Sequence, residues 1–206
     1  MTILGIDTST TRGSVALSTD GELRLEETFT ADRSHSASLF TVLERARKLA
    51  ERIDLIAVGL GPGSYAGVRI SISAAIGFQL GLGARIVGLP SVAALETAAL
   101  RYFAIGDARR ETFYFTEVEA GRCLDGPRLV GEDGLWPLLM RDVDLPVLAP
   151  ATLPACPRAT IALPVARRLI ELAEAGVSIV AQETLEPLYL REPHITQPRT
   201  KPTDRP

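Results

Sequence analysis

The chain has 206 residues, 46% of them hydrophobic and 23% charged, which supplies apolar side chain for one large core or two small ones and excludes wholesale disorder. Its formal net charge of −3 argues against a protein that grips nucleic acid alone, since such proteins normally carry a basic face. Cys123 and Cys156 stand far apart, with no CxxC and no neighbouring histidine cluster, and read as reduced, packed thiols. The N-terminus lacks the pattern of a signal peptide, and the longest uncharged run, between Arg69 and Arg85, is too short for a spanning helix. A cytoplasmic protein with no membrane association is the expectation.

Taken in chain order, Ile3 to Asp7 is a short apolar run and Ser14 to Ser18 a second strand. Asp20-Gly21 is a hairpin signal, and Leu23 to Thr28 alternates as the returning strand. From Ser36 to Arg52 the period becomes helical: Leu39, Val42, Leu43, Ala46, Leu49 and Ala50 share a face, with Ser34 or Ser36 as the cap. Leu55 to Gly59 has no polar side chain, as expected of a strand covered on both faces. A glycine loop, Gly61-Pro62-Gly63-Ser64, leads into a helix from about Tyr65 to Leu82. Arg85 to Leu89 reads as a buried strand, and Ser91 as the cap of a third helix, Val92 to about Leu100. Three antiparallel strands followed by parallel crossovers is the ribonuclease H-like plan, and the opening hairpin separates it from a Rossmann domain.

In the second half, Tyr102 to Gly106, Thr112 to Glu119, Arg128 to Val130, Leu145 to Leu148 and Thr160 to Leu163 read as strands. Glu132 to Met140 is a short helix interrupted by Pro137. Val165 to Ala175 is a helix ended by Gly176. The expected organisation is α/β: a first lobe over 1–100, a second, abbreviated copy over 101–190, and a disordered proline-rich tail over 191–206.

Two segments could carry chemistry. Asp7-Thr8-Ser9 ends the first strand. Such a position can hold Mg²⁺ and approach nucleotide phosphates, or it can cap strand and turn hydrogen bonds in a vestigial phosphate loop. No matching glycine-rich turn with Asp follows residue 100. The loop Gly61-x-Gly63-x-x-Ala66 formally fits a dinucleotide fingerprint, but no Asp or Glu occurs between Asp54 and Glu96 to hold a ribose. A Walker loop lacks its lysine, and Pro62 and Ala66 exclude a nucleophile elbow around Ser64. The helix that follows carries small residues at spacings of three and four, Gly67, Ser71, Ala74 and Ala75 in one row and Ser73, Gly77 and Gly81 in another. Helical glycine costs about 0.5–1 kcal/mol relative to alanine, so close approach of another helix is implied, within this chain or from a partner. Val68, Ile72, Ile76, Phe78 and Leu80 make the helix apolar nearly all round, so its outer side needs cover. The two histidines, His35 at a helix start and His194 in the tail, offer neither a zinc motif nor a triad.

Three blocks, IDTSTTRGSVAL at 6–17, RSHSASL at 33–39 and GPGSYAGVRISISAAIGFQLG at 61–81, resemble the TsaB family, also called YeaZ. Asp107-Ala108-Arg109-Arg110 resembles the segment that opens the family's second lobe, with Glu111 and Thr112 where Gly-Glu is usual. Pro187-Leu188-Tyr189-Leu190-Arg191 resembles its usual ending. The resemblance implies a two-lobed actin-like fold and a non-catalytic subunit, with no cofactor of its own. Its partner would be the transferase TsaD, joined by TsaE in a larger complex, in threonylcarbamoyl modification of adenosine 37 of ANN-decoding tRNAs. tRNA would be met only through the complex, and a homodimer could form without TsaD. The implied partner face lies on the first-lobe helices, at Ser36, Phe40, Leu43, Val68, Arg69, Ile72, Ser73, Ile76, Gly77 and Leu80. The alternative from the residues is a small ATP-binding enzyme using Asp7 in an interlobe cleft.

Overall fold

A computed structural model describes residues 1–30, 35–177 and 185–190. The helix cap expected at Ser34 and the tail over 191–206 lie outside the described residues, as do the side chains of His35 and Ser36.

The opening meander forms as its alternation requires. β1 (Thr2–Asp7) pairs antiparallel with β2 (Arg12–Thr19), which pairs antiparallel with β3 (Glu22–Thr30). The β2–β3 turn places Asp20 at φ 51° and Gly21 at φ 80°, the two left-handed residues that a tight hairpin needs. α1 (His35–Leu49), β4 (Leu55–Gly59), α2 (Tyr65–Leu82) and β5 (Arg85–Leu89) follow. β4 lies parallel to β1 and β5 parallel to β4, giving the sheet order β3-β2-β1-β4-β5.

The second half repeats this order, with only its later strands shorter than those of the first. β6 (Arg101–Asp107) pairs antiparallel with β7 (Thr112–Glu119), whose other edge takes β8 (Arg122–Cys123) and β9 (Arg128–Gly131). α3 (Glu132–Leu139) contains Pro137, which the expected proline interruption anticipated as a short helix. β10 (Val147–Ala149) joins β6 in parallel and β11 (Thr160–Ile161) joins β10. Between β10 and β11, where the first copy has α2, there is a loop carrying Pro150, Pro154 and Pro157. α4 (Ala166–Glu174) ends the pattern, with Gly176 at φ 69°. The molecule is thus an α/β protein of two mixed sheets, each with ribonuclease H-like strand order.

One reading needs correction, and one strand was not foreseen. The third helix from Ser91 is only a 3-10 turn, Ser91–Ala94, followed by extended Leu95. The run Val92–Leu95 is buried throughout, and the backbone beyond it bonds elsewhere, with the Glu96 amide donating to the Leu163 carbonyl at 2.9 Å. A continuing helix would forfeit that bond. The two-residue strand β8 was not expected, being too short to show alternation.

Three clusters hold these layers. α1 and α2 cover one face of the first sheet through Leu4, Ile6, Leu39, Leu43, Val68 and Ile72. α4 and the 91–94 turn fill the space between the sheets, and α3 covers the far face of the second sheet. α4 sits tightly on β1, where a Cβ at Gly5 would strike the Ala166 carbonyl oxygen. Its Ala166 amide donates to Ser14 Oγ on β2 at 2.9 Å, satisfying one of the free N–H groups of the helix start.

Candidate functional site

The turn at the end of β1 is enclosed. Asp7, Thr8 and Ser9 are all buried. Asp7 Oδ1 accepts from the Ser9 amide at 2.8 Å and the Ser9 hydroxyl at 2.7 Å. Oδ2 faces Gly59, whose extra Cβ would strike it, and lies beside the Ser91 hydroxyl without a hydrogen bond of good geometry. Ser91 Oγ itself accepts from the Gly61 amide at 2.9 Å, which is what that residue does in place of capping a helix. Burial pushes the Asp7 carboxyl up from its ordinary value, opposed in part by the hydroxyls of Ser91 and Ser9 and the Ser9 amide.

The glycine loop closes over this turn. The Ser64 amide donates to the Ser9 carbonyl at 2.6 Å, and Thr8 Oγ1 donates to the Gly67 carbonyl at 2.6 Å. A Cβ at Gly63 would collide with the Ser9 carbonyl, and one at Gly67 with the Thr8 carbonyl. Both glycines are therefore needed for close backbone approach. Ser64 caps α2, its hydroxyl accepting from the Gly67 amide at 3.2 Å.

An open cleft of about 1250 Å³ lies between the two halves, bordered by Ser9, Thr10, Tyr65, Arg109, Glu132 and Tyr189 among others. Asp7 does not line it. At its rim the β6–β7 turn holds Arg109, Arg110 and Glu111 at φ of 68°, 54° and 57°. Among the described residues no three His, Cys, Asp or Glu side chains gather as a metal site, and no helix is long and apolar enough to cross a membrane.

The residues expected on a partner face divide into two groups. Leu43, Val68 and Ile72 are buried in this chain's own core against the first sheet, so their placement on an outer surface is corrected. At 100° per residue they share the stripe of Ala46 and Ala75 that meets the sheet. Arg69, Ser73, Ile76, Gly77 and Leu80 are exposed along the opposite face of α2, Leu80 at 82%. Phe40 is 52% exposed. It lies on α1 away from the flank whose Arg45 pairs with Glu27 of β3 at 3.0 Å, and so toward α2. Ser36 falls in the first turn of α1, its side chain outside the described residues.

Sequence reasoning missed one cluster at the start of α2. The Tyr65 and Tyr189 rings stack with centroids 5.1 Å apart and planes 27° apart. Arg69 donates to the Tyr65 hydroxyl at 2.6 Å and sits 5.0 Å over its ring. No local signal joins residues so far apart in sequence, although Tyr189 stood in a recognisable terminal block.

Two half-copies of one strand order, an enclosed β1 turn and a cleft between the sheets define a two-lobed α/β protein of the ribonuclease H-like, actin-like class. The chain is similar in sequence and in structure to proteins of the TsaB family, also called YeaZ. The tRNA threonylcarbamoyladenosine biosynthesis protein TsaB of Escherichia coli is 30% identical over 146 residues, 66% of this chain and 58% of that protein. Its namesake in Haemophilus influenzae is 30% identical over 128 residues, 57% of this chain and 54% of that one. The matches thus span little more than half the length of these relatives. YeaZ from Pseudomonas aeruginosa is similar in structure, with a TM-score of 0.70 at 27% identity, covering 92% of this chain and 99% of that one. A family model described as TsaD, tRNA N6-adenosine threonylcarbamoyltransferase, matches residues 29–126.

Proposed function

We propose that this chain is a non-catalytic subunit that docks the TsaD transferase through the outer face of α2 and the adjoining flank of α1. It would thereby support threonylcarbamoyl modification of adenosine 37 of ANN-decoding tRNAs. The observation that carries the reading is the exposed stripe of Ser73, Ile76, Gly77 and Leu80 on a helix whose other side is already buried. Among the described residues nothing lies within 4 Å of a Cβ built at Gly77 or Gly81, so the glycines that lower helix propensity there are spare room for another backbone. The transferase model matches the segment that contains α1, β4 and α2. A partner with a related helix pair can therefore meet this one face to face. The net charge of −3 supports a reading in which tRNA is met only through the complex with TsaD and TsaE.

The second reading, a small ATP-binding enzyme, draws on the interlobe cleft. It is disfavoured by Asp7, which spends its hydrogen bonds on Ser9 and faces Gly59 rather than the cleft. Co-purification with TsaD of the same organism, followed by light scattering, separates the two. A one-to-one complex that Gly77→Leu abolishes in a folded chain is expected. A monomer or homodimer indifferent to TsaD, together with saturable ATP binding by the chain alone, would replace docking with the enzyme reading.

A further inference from the structure

We propose that the docking face continues from α2 onto the segment 185–190, and that Tyr189 is a positioning residue for partner binding, acting through Tyr65 on Arg69. The proposal rests on the docking reading above. The segment is tied to the first lobe at separate points. The Leu188 amide donates to the Leu60 carbonyl at 2.8 Å, and Leu185 and Leu188 pack against the core under α1 and α2. Tyr189 then lays its ring on Tyr65, which opens α2.

Tyr65 is held from two sides, by Tyr189 and by the Arg69 guanidinium one turn further along the helix. Arg69 is the first member of the exposed stripe that runs through Ser73, Ile76 and Leu80. A groove of about 440 Å³ separates that stripe from the segment, with Arg69 and Ser73 on one wall and Glu186 and Tyr189 on the other. A free arginine side chain carries about 2 kcal/mol of rotamer entropy. Fixing it before association removes that part of the cost of binding. Arginine and tyrosine are also the side chains through which interfaces gain most of their affinity. The occupant is the docking helix of the partner proposed above. The groove is continuous with the stripe through Arg69 and Ser73, and its Arg69 and Glu186 walls fit a ridge carrying charges of both signs.

The test is titration calorimetry of the full chain with TsaD, using the wild type and four variants, with thermal melts of each. Tyr189→Ala is expected to weaken binding about tenfold while its Tm stays near wild type, because the ring is half exposed. Tyr189→Phe keeps the stack and should bind within about twofold of wild type, a rescue that a purely structural role in the fold would show in the melt instead. Arg69→Gln should lose as much as Tyr189→Ala, and it carries the test if the alanine variant melts early. Wild-type affinity in Tyr189→Ala and Arg69→Gln, with binding lost in Gly77→Leu, overturns the proposal and leaves the docking reading in place. Wild-type affinity in Gly77→Leu as well overturns both.

Discussion

Helix α2 carries small residues on two faces, and the faces have different fates. On the inner side Gly67 lies against the Thr8 backbone, and Ser71, Ala74 and Ala75 are buried. Ser71 turns its hydroxyl back to the Val68 carbonyl at 3.0 Å, so it enters the core with its polar group satisfied. On the outer side Gly77 and Gly81 meet nothing within 4 Å among the described residues. The same residue types at the same spacing therefore report a contact made in one case and a contact left open in the other. A glycine's cost in helix propensity is equal on both faces; only on the inner face does this chain itself recover it.

The largest effect expected from this contrast is at Gly67. Gly67→Leu should cost about 3 kcal/mol or more, read as a large fall in Tm or loss of soluble chain, whereas Gly77→Leu should melt near wild type. Equal melting of the two variants would erase the distinction between the faces. Next comes the seam that the inner face closes. Thr8→Val keeps shape but removes the hydroxyl that bonds the Gly67 carbonyl, so it should cost about 1 kcal/mol and lower Tm by roughly 2–4 °C. An unchanged Tm would mean that the β1 turn is not braced by α2.

Gly77→Ala should act with the opposite sign. It should add about 0.5–1 kcal/mol of stability in the isolated chain, and denaturant unfolding would measure it. A loss of stability there would mean that the outer face is covered within this chain after all. The smallest effect is expected at Asp7 and depends on pH. Burial raises its folded pKa above the unfolded value. As pH rises through that interval the unfolded chain loses the proton first, and stability falls. Asp7→Asn keeps an acceptor for Ser9 and avoids the buried charge, so its Tm should exceed wild type at pH 7, with the gap closing as pH drops toward about 4. A gap that widens on acidification would show that the carboxylate is instead favoured by the fold.

Most of the fold was legible in the sequence. The alternation of β2 and β3, the Asp20-Gly21 turn, the polar-free run of β4 and the helical period of α1 each encode an element through near neighbours. The failure at Val92–Leu100 has the same root. The apolar start Val92–Leu95 is compatible with a helix or with buried extended chain, and the contacts of Glu96 with Leu163 and of Leu95 with Pro164 limit it to one turn followed by extended chain. Of the candidate site, the segment Asp7–Ser9 and the two rows on α2 were recognisable. That Val68 and Ile72 face inward while Ser73, Gly77 and Leu80 face outward was not, because α2 is apolar nearly all round and gives its period no contrast to report; Leu43 lies on the apolar face that the period of α1 had already marked. The stack of Tyr65, Tyr189 and Arg69 had no local signature at all.

The sequence by itself determined most of the elements, their order, the first hairpin and the family resemblance, since periodicity, turn chemistry and motif spacing act over a few residues. The tertiary structure alone decided which surfaces are used up. The Thr8–Gly67 seam, the Ser14–Ala166 cap and the Tyr65–Tyr189 stack each join residues distant in the chain. Burial and exposure depend on such long-range contacts, whose partners the local pattern of side chains does not name.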